Sequence, residues 1–68
     1  MQKNQLIRPK DAAARAGISV SHLYVLVAND QFPQPIKISP RITAFVATEI
    51  DEWITDKIRL SRSGENAQ

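Results

Sequence analysis

Ser19, Ser21, His22 and Tyr24, interleaved with Val20, Leu23 and Val25, put two hydroxyls, an imidazole and a phenol within six residues. These groups donate and accept hydrogen bonds, yet they do not form a catalytic set. His22 is the sole histidine, and cysteine is absent, which excludes disulfides, thiolate chemistry and the usual zinc sites. Asp51 and Glu52 are adjacent, so on a helix they point in different directions, and no base, nucleophile or metal cluster accompanies them. The chemistry on offer is recognition without catalysis and without a cofactor. Hydroxyls suit phosphate oxygens and base edges, and a valine suits a thymine methyl.

The elements that must position these groups are two short helices. Pro9 fits the first position of a helix, and the alanine-rich run that follows has high helix propensity, which predicts a first helix over about 9–16. Ala12, Ala13 and Ala16 recur at helical spacing, small enough to let a second helix approach. Gly17 can take the left-handed conformation that ends a helix, Ile18 can plug the angle, and Ser19 can cap the next helix. At 100° per residue, Leu23, Leu26 and Val27 face inward while Ser21 and Val25 lie opposite, flanked by His22 and Tyr24. This is the form of a helix-turn-helix. Two uses of the flanks stand open: contact with DNA, or Tyr24 partly covering the core and His22 solvated.

Asn29 and Asp30 suit a helix exit, and Pro33 and Pro35 hold the following chain extended. Ile36-Lys37-Ile38 and Ile42-Thr43-Ala44-Phe45 are β-rich runs around Ser39-Pro40-Arg41, which predicts a two-stranded hairpin with Lys37 and Arg41 near its tip. Beside a helix-turn-helix, a basic hairpin is a wing. Thr48 can cap a third helix, with Asp51 completing a loose capping box, and Ile50, Trp53, Ile54 and Ile58 form one apolar stripe toward the core. The fold class expected is mainly α with a small β-hairpin, a winged helix-turn-helix of three helices and a two-stranded wing. Residues 1–5 are expected to be a flexible N-terminus, 6–60 the domain and 61–68 a disordered tail.

Sixty-eight residues make one small core, unsuited to a deep catalytic pocket. The net charge of +2 is unevenly spread: residues 1–41 hold six cations against two anions, and residues 42–68 three against five. Ordinary surface scatter gives such a split too, but the half with the helix-turn-helix is the basic half, as an encounter with phosphates requires. No segment approaches the roughly 18 apolar residues of a membrane span, and the N-terminus has no signal-like apolar region, so a cytoplasmic protein without membrane contact is expected.

Arg8-Pro9-Lys10-Asp11, Gly17 to Tyr24, Phe32 to Ile38 and Thr48 to Ile54, in this order and spacing, resemble the AlpA-like family of phage and prophage regulators, relatives of excisionases and of the winged-helix domains of MerR-type proteins. The match extends over about 6–58. The resemblance implies a DNA-binding regulator of a prophage or integrative element, acting on transcription of integrase or excision functions or as a recombination directionality factor. The chain departs from the family at Val20 and Val25, where basic residues are usual, at Ser39-Pro40, where glycine is usual, and at Phe45, where tryptophan is commoner.

The expected DNA-facing set is Ser19, Val20, Ser21, His22, Tyr24 and Val25 from the second helix. Lys37, Ser39 and Arg41 join it from the wing, and Arg8, Lys10 and Arg15 as phosphate clamps around the first helix. The expected partners are double-stranded DNA, further copies bound cooperatively beside it, and integrase or RNA polymerase, in a nucleoid-associated location. A different reading uses the same fold as a protein-interaction module that recruits an integrase or another partner, with DNA contacts secondary.

Overall fold

The computed structural model describes residues 5–63, in the order β1 (Leu6–Ile7), α1 (Pro9–Ala16), α2 (Val20–Ala28), β2 (Ile36–Ser39), β3 (Ile42–Val46) and α3 (Ala47–Arg62). Pro9 sits in the first turn of α1, where its missing N–H costs nothing, and the first helical bond runs from Ala12 N–H to Arg8 O at 2.9 Å. Gly17 ends the helix with φ 76°, and two bonds close it: Gly17 N–H to Ala14 O at 3.1 Å and Ile18 N–H to Ala13 O at 3.0 Å. This paired closure needs a left-handed residue, which glycine supplies without strain. Ile18, half-buried, packs against the core as the plug of the angle.

α2 ends the same way with different chemistry. Asp30 takes φ 61°, with Asp30 N–H to Val27 O at 3.1 Å and Gln31 N–H to Leu26 O at 2.8 Å. The amide of Gln34 reaches back to donate to the same Val27 O at 3.2 Å, a second bond to that end carbonyl.

The hairpin is part of a three-stranded antiparallel sheet of order β1-β3-β2. The two-stranded wing expected from the sequence therefore gains Leu6–Ile7 as a third, two-residue strand, paired Leu6 to Val46 and Ile7 to Phe45. Ser39 pairs with Ile42, leaving Pro40 and Arg41 as the turn. Proline fixes a negative φ and Arg41 is not left-handed, so the primed hairpin turns are closed to it and a type I turn remains. Such a turn splays the strands, and the register shift at Ile38 absorbs the mismatch.

The core cluster joins Ile7, Ala12, Ala13, Leu23, Phe45 and Ile50, with Phe32 and Ala47 also buried. Phe32 meets Phe45 edge-on at 5.8 Å and Trp53 at 4.7 Å between ring centroids. Trp53 is half-buried at the rim, its indole N–H donating to Gln31 O at 3.0 Å.

α3 differs from expectation at both ends. It starts at Ala47, capped by the extended Val46 with no side-chain bond, so Thr48 lies inside the first turn and forms no capping box with Asp51. The reason is that β3 runs straight into α3, and Ala47 N–H is already taken by Gln5 O at 2.8 Å. That bond also ties down Gln5, placed in the flexible N-terminus by sequence. At the far end the helix continues through Ser61 and Arg62, which sequence assigned to the tail. Ile50 and Ile54 meet the core as expected, but Ile58 is exposed, because α3 outruns the body it packs on. The rest of the expected flexible termini, 1–4 and 64–68, lies outside the described residues.

Candidate nucleic-acid interface

Ser19 caps α2 as its sequence position implies. Its backbone is extended and its Oγ accepts from His22 N–H at 3.0 Å, which leaves the hydroxyl proton free to donate elsewhere. This cap fixes where the helix begins and hence which residues face outward. Leu23 is wholly buried, and Leu26 and Val27 pack against the core. The opposite face presents Ser21, His22, Tyr24 and Val25, all exposed, with Tyr24 at 47% and Val25 at 52%. Val20 is exposed beside them in the first turn. The side chains of Ser21, His22 and Tyr24 make no hydrogen bond to any other described residue. Tyr24 does not cover the core.

The cations divide into two groups. Arg8, Lys10, Lys37, Arg41 and, at the far end of α3, Arg62 are exposed and form no ion pair among the described residues. Arg8 precedes α1, Lys10 lies in its first turn, Lys37 stands on β2 opposite Thr43, and Arg41 occupies the turn of the hairpin. Ser39, half-buried, ends β2. Arg15 behaves differently: its guanidinium bonds to both carboxylate oxygens of Asp51, at 3.1 and 3.3 Å, tying the end of α1 to the first turns of α3. Thirty-six residues separate the pair, so no local pattern in the sequence announces it. Arg59 pairs with Asp56 one turn away, and the Lys57 ammonium lies over the Trp53 ring at 5.3 Å.

α1 joins the parts of this surface, since it packs against α2, α3 and β3. The arrangement is a capped helix with an open polar and apolar face, a basic hairpin and free cations at the head of α1. Sequence reasoning found all of these groups; it missed the engagement of Arg15 and the Gln34 clamp on the end of α2.

Among the described residues no helix is long and apolar enough to cross a membrane. No curated protein and no solved structure shows significant similarity to the chain. A family model described as the prophage CP4-57 regulatory protein (AlpA) matches residues 5–60, from the residue whose carbonyl bonds to Ala47 N–H to the last turn of α3. The match spans every element just described, and the chain belongs to the AlpA family of phage regulatory proteins, with a regulatory and not a catalytic role.

Proposed function

We propose that the protein binds double-stranded DNA with α2 in the major groove and the hairpin as a wing. The observation that carries this reading is the open face of α2. A capped helix on a rigid core shows Tyr24 and Val25 to solvent beside Ser21 and His22, whose polar groups have no partner among the described residues. Base edges and phosphates supply what these groups lack: acceptors and donors for the hydroxyls and imidazole, and a thymine methyl for Val25. Ser19 and Val20 lie at the helix N-terminus, where the backbone N–H groups favour a phosphate. Lys37 and Arg41, with Ser39, reach backbone or a narrow minor groove from the wing, and Arg8 and Lys10 hold phosphate near α1. Arg15 joins them only by sharing its guanidinium with Asp51.

The physiological output is control of integrase or excision functions, through transcription or as a directionality factor, at the nucleoid and with integrase or RNA polymerase as neighbours. Fluorescence anisotropy on a duplex selected from random sequence, titrated across salt, tests the core of this reading. Affinity should fall steeply as salt rises, in proportion to the phosphates engaged. One observation favours the second reading, a protein-docking module: α2 contains no Lys or Arg. Salt-insensitive or absent DNA binding, with capture of an integrase abolished by Tyr24→Ala, would establish it instead.

A further inference from the structure

α2 holds no Lys or Arg, and its one group that changes charge between about pH 5 and 8 is His22. The imidazole is exposed and makes no hydrogen bond to any other described residue; only the backbone N–H is engaged, by Ser19 Oγ at 3.0 Å. Cβ bonds tilt toward the start of a helix, so from the third helical position this side chain leaves toward the head of α2. Its charged neighbours supply no counter-ion. α2 packs on α1, whose charged groups are Arg8 at the cap, Lys10, Asp11 and Arg15, and the chain leaving α2 adds Asp30. Arg15 is held by Asp51 of α3, and neither Asp11, Asp30 nor any other described carboxylate pairs with His22. The helix dipole disfavours a cation in a first turn. Nothing in the described chain favours the charged imidazole, so the attraction must come from outside it.

We propose, resting on DNA binding through α2, that His22 takes up a proton as the protein binds, so that affinity rises as pH falls through the range in which histidine titrates. A duplex carries a dense negative charge, and an imidazole brought against it is better bound with the proton than without. Both ring nitrogens of the imidazolium are donors, and they suit a phosphate oxygen or the N7 and O6 acceptors of guanine. The effect is reciprocal: DNA raises the proton affinity of the ring by the factor by which the proton raises DNA affinity. A lysine or arginine cannot act this way, because it stays charged throughout the range. A reading helix whose one available cation is an imidazolium therefore makes binding sensitive to pH.

Fluorescence anisotropy on a selected and an unrelated duplex, at about pH 5.5 and about pH 8 and over a salt series, tests it with the wild-type chain, His22→Gln and His22→Lys. Wild-type affinity should be about three- to tenfold higher at the lower pH. With phosphate as the acceptor the gain appears on both duplexes and the salt slope steepens by up to about 1; with guanine it appears on the selected duplex alone. His22→Gln keeps a polar side chain and completes a capping box with Ser19, so the helical circular dichroism should be retained while the pH dependence is lost. His22→Lys should bind alike at both pH values. Salt-dependent binding that is equal at both pH values, or a pH dependence that persists in folded His22→Gln, overturns the proton uptake and leaves DNA binding standing. Absence of salt-dependent binding at either pH overturns DNA binding through α2 and the proton uptake with it.

Discussion

α2 and α3 are the two helices with the most to show to solvent, and they treat it in opposite ways. On α3, Asp51 is held by Arg15, Asp56 by Arg59, and Lys57 lies over Trp53. On α2, Ser21, His22, Tyr24 and Val25 are left open, and the free cations nearest in sequence are also unpaired among the described residues. Exposed ion pairs contribute at most about 1 kcal/mol each, so their value on α3 is not mainly stability. They engage part of the charge on α3, and the exposed Glu49 and Glu52, in no ion pair among the described residues, would repel DNA. An open surface on α2 costs little folding energy and keeps its groups available. The contrast is what the proposed reading expects of a helix that faces DNA and a helix that serves as scaffold.

The largest effect should come from removing the scaffold. Trp53→Ala takes away the ring packed on Phe32 and the bond to Gln31 O, at a cost of about 3 kcal/mol, enough to unfold much of a domain this small. Trp53→Phe keeps most of the packing and loses one hydrogen bond, about 1 kcal/mol. Thermal melts of both variants check the assignment. A normal melting curve for Trp53→Ala would erase the distinction between the helices.

The interface should respond next, and in two separable ways. Lys37→Ala with Arg41→Ala should weaken binding to a selected site and to unrelated duplex together, by about tenfold or more, and lower the salt slope by roughly 1 to 2. Ser21→Ala and Tyr24→Ala should each cost about 1–2 kcal/mol at the selected site and far less on unrelated duplex. Val25→Arg should raise affinity for any duplex, because it adds the cation that α2 lacks. If all the α2 variants bind the selected site like the parent, α2 is not the reader.

What the sequence made legible follows from the range of the forces involved. Pro9, Gly17 and Ser19 set helix boundaries through local rules, and those boundaries were read correctly. The inner face of α2 was read from periodicity alone. β1 was not, because two apolar residues carry no period and Leu6–Ile7 becomes a strand only by pairing with Phe45 and Val46 some forty residues away. The same distant pairing moved the cap of α3 from Thr48 to Val46 and decided which apolar residues lie outside the core. Ile58 keeps the period of the stripe, but the body ends before it does. Local chemistry fixes where side chains point; the sheet decides what they meet.

A smaller effect tests the boundary between the two helices, where Arg15 belongs to both accounts. Asp51→Asn removes the ion pair, at about 0.2–1 kcal/mol of stability because both partners are exposed. It also releases the Arg15 guanidinium. If Arg15 acts as a phosphate clamp, DNA affinity in the variant rises modestly and the salt slope steepens. If its role is only to tie α1 to α3, affinity changes by no more than the lost negative charge explains, and Arg15→Ala in the Asp51→Asn background leaves the slope unchanged.

The smallest effect lies at the exit of α2, away from its open face. Asp30 occupies a left-handed conformation at φ 61°, which costs a side-chain-bearing residue about 1 kcal/mol, and it puts a negative charge at the negative end of the helix dipole. Asp30→Gly removes both penalties, and against that gain stand the greater unfolded-state freedom of glycine and a 3.5 Å contact with the Gln34 amide. The net expectation is a gain of about 0.5 kcal/mol, a rise in melting temperature of a few degrees. Gly17→Ala at the matching place in α1 should go the other way by about 1 kcal/mol, through backbone strain alone, since nothing lies within 4 Å of the added methyl. Because Asp30 lies outside the reading face, its replacement should leave the ratio of selected-site to unrelated-duplex affinity unaltered. A change in that ratio would mean that the end of α2 takes part in recognition, and that the line between scaffold and interface runs through this helix and not between it and α3.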